Sequence, residues 1–156
     1  MTIEEFSAKL LNRNEPMRVH LIGVAGSGMS GLARLLLEMG HRVSGSDRVT
    51  SGETERLRSS GLEFSTPHSA EAVKDVDAVI YSSAIRPENP ALAAATEAGT
   101  STFRRAECLA AILHTKSGVI VSGTHGKTTT SSMIAHILRK GELAPCHYVG
   151  AEIPVL

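Results

Sequence analysis

The chain has 156 residues, 42% of them apolar, and its Lys+Arg and Asp+Glu totals balance at 16 each. Zero net charge, with only 3% aromatics and no Trp, argues against a general nucleic-acid or anionic-membrane binder. Two cysteines make no disulfide framework, seven histidines show no paired metal-ligand spacing, and no apolar stretch approaches a signal peptide or a membrane span, so a cytoplasmic protein with free thiols is expected.

Residues 2–12 read as a short packing helix, with Thr2 and Glu5 spaced as a capping box and Ile3, Phe6, Leu10 and Leu11 on one face. Residues 18–24 form the first core strand, centred on Val19, Leu21 and Ile22. The strand runs into Gly23-Val24-Ala25-Gly26-Ser27-Gly28-Met29-Ser30-Gly31, which contains G-x-G-x-x-G at Gly26, Gly28 and Gly31. A helix over 32–39 follows and Gly40 stops it. The second strand, 42–46, ends at Asp47, about 20 residues past the loop, where a dinucleotide-type fold places a ribose-binding carboxylate. Strand before, helix after and acid at the next strand end favour a nucleotide or diphosphate site over a merely tight turn.

Residues 53–60 read as a helix ending at Gly61, and 62–64 as a short strand. Pro67, His68 and Ser69 begin a short helix with Ser69 as its candidate N-cap. His68 stands at a strand's carboxyl end, where open α/β sheets bind ligands; a capping or solvated histidine is an equal alternative. Residues 78–81 form the fourth strand, followed by the loop Ser82-Ser83-Ala84-Ile85-Arg86. Pro87, Asn89 and Pro90 precede an alanine-rich helix over 91–98, closed by Gly99, and 101–103 form a fifth strand. Arg104 and Arg105 read as solvated charge rather than a phosphate clamp. A helix over 106–114 leads to the last element.

That element is SGVIVSGTHGKTTTSSMIAHILRK, residues 117–140. An apolar β-branched strand, Val119 to Val121, meets the turn Gly123-Thr124-His125-Gly126, then Lys127 with Thr128, Thr129 and Thr130, then a helical pattern at Met133, Ile134, Ile137 and Leu138. Strand, glycine loop, Lys-Thr and helix is the layout of a P-loop, in which backbone N–H groups and a helix N-terminus face phosphate. Lys127 is placed to reach β- and γ-phosphates and Thr128 to face Mg²⁺. Val121 stands where the full motif has its first glycine, so the loop is a shortened G-x-x-G-K-T.

The fold class expected is α/β: a doubly wound, Rossmann-like parallel sheet over 1–105, then a linker helix and the first strand–loop–helix of an ATP-binding domain over 106–156. Sixteen residues follow Lys140, too few for the further strands and the acidic Mg²⁺ ligand of a P-loop domain, so the chain is expected to be the N-terminal part of a longer protein. The apolar residues of the last helix are then expected to dock on the first domain, to pair two copies in a dimer, or to stay loosely ordered.

GTHGKTTT after a V-I-V strand resembles the ATP loop of the Mur ligases, which build the peptide stem of bacterial peptidoglycan. Gly23 to Ser30, Gly45-Ser46-Asp47, Ser82-Ser83-Ala84-Ile85 and Asn89-Pro90 extend the resemblance over about residues 16–156. Pro67-His68 departs from the Gly-His common in relatives. The resemblance implies that ATP, with Mg²⁺, activates the carboxylate of UDP-N-acetylmuramate as an acyl phosphate, which the amine of L-alanine attacks. It implies a UDP-sugar site at Gly26, Ser27, Gly28, Met29, Ser30, Asp47, Arg48, His68, Ser82, Ser83 and Ala84. It implies an ATP site at Gly123, Thr124, His125, Gly126, Lys127, Thr128 and Thr129, with Lys127 and Thr128 catalytic and Thr128 on the metal. Relatives that attach a whole murein peptide are the runner-up. A NAD-linked dehydrogenase domain explains the first loop but not the second, and a non-catalytic nucleotide-binding module is the remaining alternative.

Overall fold

A computed structural model describes residues 1–12, 14–114 and 117–149. The chain divides at Ser117/Gly118 into two units. The first is a five-stranded sheet in the order β3-β2-β1-β4-β5, built from β1 (Arg18–Ile22), β2 (Arg42–Ser46), β3 (Glu63–Ser65), β4 (Ala78–Tyr81) and β5 (Ser101–Arg104). Every neighbouring pair is parallel. The doubly wound sheet expected from the sequence is therefore present, with its order reversing between β1 and β4.

Helices α1 (Ile3–Leu11), α2 (Ser27–Glu38), α3 (Gly52–Ser59), α4 (Pro90–Glu97) and α5 (Arg105–His114) flank the sheet, with a 3₁₀ turn at Ala70–Val73. The capping box forms on α1: Thr2 N–H donates to Glu5 Oε2 at 2.8 Å and Glu5 N–H to Thr2 Oγ1 at 3.2 Å. Pro90 opens α4, and Asn89 Oδ1 accepts from Ala91 N–H and Leu92 N–H. Ser69 precedes the 3₁₀ turn, but its side chain makes no capping bond.

The core lies along the central strands. Val19, Leu21, Ile22, Val79 and Ile80 are fully buried with Leu32, Leu36 and Leu57 from the helices. Each such side chain contributes about 1.5–3 kcal/mol through removal from water. Phe6 of α1 stacks on Phe103 of β5 with ring centroids 4.3 Å apart, and Ser7 Oγ donates to Ala111 O of α5 at 2.7 Å. Helix α5 is thereby part of the first unit, one helix beyond the 105/106 division read from the sequence.

Two local differences from the sequence reading have physical causes. Helix α2 begins at Ser27, not at Leu32, because Met29 N–H and Ser30 N–H already close on Gly26 O at 2.8 Å each. Gly28 and Gly31 therefore sit inside a helix whose apolar pattern starts later. Val119, Ile120 and Val121 form no strand among the described residues, and Val119 and Ile120 are 64% and 76% exposed. A β-branched run becomes a strand only with a neighbour to bond. In the second unit the described regular element is α6 (Lys127–Lys140).

Candidate functional site

The glycine loop after β1 is tied to the end of β2. Gly23 N–H and Val24 N–H both donate to Ser46 O, at 2.8 and 3.2 Å. Asp47 Oδ2 accepts from Ala25 N–H at 2.8 Å and its Oδ1 from Arg48 N–H at 2.7 Å. The acid read as a ribose ligand thus also braces the loop, and a carboxylate has lone pairs for both tasks.

The loop after β4 reaches the same place. Gly23 has φ +87°, and a Cβ there would stand 3.4 Å from Ile85 Cδ1 and 3.8 Å from Ser82 Cβ. Ala84 N–H donates to Ser82 Oγ and Ile85 N–H to Ser82 O, which folds Ser82 to Ile85 into a tight turn. From the far side, His68 Nδ1 meets Ser46 Oγ at 2.9 Å. The structure therefore brings Gly26–Gly28, Asp47, Arg48, His68 and Ser82–Ala84 to the carboxyl ends of β1, β2, β3 and β4. This is the edge at which open α/β sheets bind ligands, beside the reversal of strand order.

Met29 and Ser30 behave differently from the rest of the loop. They are 2% and 4% exposed, their N–H groups are used on Gly26 O, and Ser30 Oγ donates to Ser27 O. Neither presents its side chain at the loop mouth. The N-terminus of α2 has no side-chain cap, so Ser27 and Gly28 carry the helix end there.

The sequence reading passed over His20. It lies in mid-β1, 1% exposed, with Nδ1 2.8 Å from Ser44 Oγ and Nε2 3.0 Å from Ser46 Oγ. Burial, and secondarily the neighbouring His68, lower its pKa from the usual value to about 4, so the ring is neutral at pH 7. Burial lowers the pKa of His68 too, with Asp47 raising it and Arg48 lowering it in turn. The available signal was a histidine inside an apolar strand, with serines at alternate positions of the next one.

Two open cavities flank the sheet. One, of about 560 Å³, lies beside the β4 loop and is lined by Tyr81, Ser83, Ile85, Leu92 and Arg104 among others. The other, of about 500 Å³, includes Arg18 and Arg42 at the amino ends of β1 and β2. Of the residues read as the UDP-sugar site, the first cavity includes Ser83 and the second none.

In the second unit, Gly123 and Gly126 adopt φ +150° and +77°, conformations that favour glycine. Lys127 folds back over the loop, donating from Nζ to Gly123 O at 2.6 Å and to Thr124 O at 3.2 Å. Helix α6 has no side-chain cap, and Thr124, His125, Thr128 and Thr129 are exposed. Uncapped N–H groups, a lysine inside the loop and a hydroxyl at the helix start are the donor set a polyphosphate needs. No group of three His, Cys, Asp or Glu able to hold a metal occurs among the described residues.

Residues 18–117 match the family described as "Mur ligase family, catalytic domain". The chain is 47% identical over 144 residues to a UDP-N-acetylmuramate–L-alanine ligase of Sorangium cellulosum, covering 92% of this chain and 31% of that protein. A protein of the same name from a Synechococcus strain is 48% identical over 134 residues, covering 86% and 28%. The chain thus spans about a third of the length of the relatives it matches. Among solved structures, the UDP-N-acetylmuramate-alanine ligase of Thermotoga maritima aligns with a TM-score of 0.83 at 32% identity, over 90% of this chain and 33% of that one. The UDP-N-acetylmuramate:L-alanyl-gamma-D-glutamyl-meso-diaminopimelate ligase of Neisseria meningitides aligns with the same TM-score at 27% identity, over 91% and 45%. With the family matched over more than half of its length, on a parallel sheet that carries the glycine loop at its carboxyl edge, the chain belongs to the Mur ligase family.

Proposed function

We propose that this chain is the N-terminal part of a cytoplasmic ATP-dependent ligase that joins L-alanine to the carboxylate of UDP-N-acetylmuramate in peptidoglycan synthesis. The observation that carries the reading is the pair of phosphate-type loops, one in each unit, in a chain 43–48% identical to proteins of that name. The first unit holds the UDP-sugar. Ser27 and Gly28 at the start of α2 face its diphosphate, Asp47 and Arg48 flank the uridine, and His68 and Ser82–Ala84 complete the wall. The second unit holds ATP along residues 123–129. Lys127 leaves its two carbonyls for the β- and γ-phosphates, and Thr128 turns its hydroxyl to the metal.

Mg²⁺, when bound, neutralises charge on the transferring phosphoryl group. A carboxylate oxygen of the sugar acid attacks the γ-phosphorus, the bond to ADP breaks, and an acyl phosphate results. The L-alanine amine then attacks the acyl carbon, phosphate leaves, and the amine proton passes to solvent. Lys127 stabilises the charge on the phosphoryl oxygens throughout, a contribution of several kcal/mol for one electrostatic donor.

The 156 residues alone are expected to bind UDP-N-acetylmuramate, to bind ATP weakly or not at all, and not to turn over. Calorimetry with each nucleotide, plus a phosphate-release assay with all substrates, tests this. Gly28→Val puts a branched side chain against the diphosphate and abolishes UDP-sugar binding with the far-UV dichroism kept. Unchanged affinity would make the loop structural only. Binding of NADH without any UDP response overturns the assignment, and turnover by this chain overturns the division of labour. A second reading, addition of a preformed murein peptide, is supported by the Neisseria neighbour. Supplying L-alanine and L-alanyl-γ-D-glutamyl-meso-diaminopimelate in parallel to the protein in its longest native form separates the two.

A further inference from the structure

His20, Ser44, Ser46 and His68 form one connected line of polar side chains from the middle of the sheet to its ligand edge. Parallel register sets His20 against Ser44 and Ile22 against Ser46, so the three polar side chains share a face. The contacts are His20 Nδ1 to Ser44 Oγ at 2.8 Å, His20 Nε2 to Ser46 Oγ at 3.0 Å, and Ser46 Oγ to His68 Nδ1 at 2.9 Å. Ser46 is fully buried and His20 1% exposed, so each hydrogen needs a partner within the line.

A neutral imidazole has one N–H and one lone pair, and each serine has one hydrogen to give. Two arrangements satisfy all three contacts. In the first, Ser44 donates to His20 Nδ1, His20 Nε2–H donates to Ser46, and Ser46 donates to His68 Nδ1. His68 then carries its hydrogen on Nε2, which has no partner among the described residues. In the second, every donor reverses: His68 Nδ1–H donates to Ser46, Ser46 to His20 Nε2, and His20 Nδ1–H to Ser44. Neutral His68 then offers a lone pair at Nε2. Any mixture sets two lone pairs together, or leaves the Ser46 hydrogen without an acceptor.

We propose that His20 is a positioning residue which, through Ser46, fixes the tautomer of His68 so that its Nε2–H donates to an oxygen of the bound UDP-sugar. The ligand half of this rests on the reading of His68 as part of the UDP-sugar site. UDP presents only acceptor oxygens on its diphosphate, which suits the first arrangement and not the second. The hydrogen-bond line couples the tautomers of His20 and His68, and the acceptor oxygens of the ligand select the first pairing. A sheet-centre histidine thereby sets the polarity of a group at the sheet edge, two side chains away.

Long-range ¹H–¹⁵N spectra of the histidine-labelled 156-residue chain at neutral pH read the tautomer directly. The expected result is a hydrogen on His68 Nε2 with UDP-N-acetylmuramate bound. His20→Phe keeps the ring volume and Ser46→Ala breaks the line by itself, and either should turn the His68 spectrum to a mixture of tautomers. Calorimetric affinity for UDP-N-acetylmuramate should fall about tenfold in either variant and in His68→Phe, on the scale of one hydrogen bond. His20→Phe combined with His68→Phe should lose no more than His68→Phe alone, whereas a merely structural His20 would add its own loss. A His68 tautomer unchanged in both His20→Phe and Ser46→Ala overturns the proposal, with Ser46→Ala deciding if His20→Phe does not fold. Full affinity in His68→Phe overturns the ligand half, while the spectra still judge the tautomer half.

Discussion

Gly45→Ala is the sharpest test of how the first loop is seated. Gly45 is buried in β2 between Leu21 and Phe64 of the adjoining strands. A Cβ built there would stand 2.9 Å from both Cβ and Cγ1 of Val24 and 3.0 Å from its Cγ2. Ordinary contacts begin near 3.4 Å, so Val24 would have to retreat. It is held by its own N–H bond to Ser46 O and is fully buried. Overpacking of this kind costs about 1–3 kcal/mol. Alanine returns about 0.4–1 kcal/mol by restricting the unfolded chain, since this glycine needs no positive φ. The net expectation is a loss of about 1–2 kcal/mol, a five- to thirtyfold change in the folding equilibrium. Urea unfolding of the 156-residue chain followed by far-UV dichroism measures it, the chain having no Trp for fluorescence. The midpoint should fall with the slope unchanged. A variant as stable as the parent would refute the tight seating of Val24 against β2.

Three further outcomes follow from burial. His20 binds a proton more readily unfolded than folded, so its contribution makes stability rise with pH from about 4 to 6.5; it is present above that range and about 3 kcal/mol is lost as pH falls through it. The pH slope of unfolding in His20→Phe should be shallower than in the parent, and identical slopes would contradict a buried neutral ring. Burial pushes the Cys108 thiol up to about 12, while Cys146 is exposed. Ellman's reagent should therefore find one thiol in the native chain and two in denaturant, and rapid reaction of both in native protein would oppose this packing. Val119, Ile120, Met133, Ile137 and Leu143 are exposed apolar residues of the second unit. Sedimentation equilibrium should show concentration-dependent self-association that Met133→Glu with Ile137→Glu removes; a monomer at every concentration would dismiss the dimer.

The parallel α/β order was legible because its signals are local: Gly40, Gly61 and Gly99 close helices ahead of β2, β3 and β5, and short apolar runs alternate with the helical segments. The loop G-x-G-x-x-G and Asp47 could be read for the same reason: their chemistry is local in sequence. What depended on partners was not. Val119 to Val121 has the composition of a strand, yet composition supplies no neighbouring strand to bond. His20 was hidden because an apolar-periodicity reading treats a polar residue in a strand as noise. Its meaning comes from Ser44 and Ser46 in β2, and only the parallel register turns all three to one face. Met29 read as a loop residue until the early start of α2 turned it into the core.

The clasp between the first helix and the last helix of the sheet unit bears on how the protein is made. Phe6 finds its aromatic partner at Phe103, and Ser7 its acceptor at Ala111, about a hundred residues later in synthesis. Until β5 and α5 have left the ribosome, α1 has only early contacts such as His41 Nε2 with Leu10 O, and Phe6 lacks its stacking partner and stays open to solvent or to a chaperone. Contacts of such separation are slow to form because the intervening chain must be ordered first. Strands β1, β2 and β3 can pair while translation continues, but the unit closes only when its final helix arrives. A ribosome stalled with residue 105 just emerged should therefore display a protease-sensitive N-terminus, and one stalled after residue 117 has emerged should not.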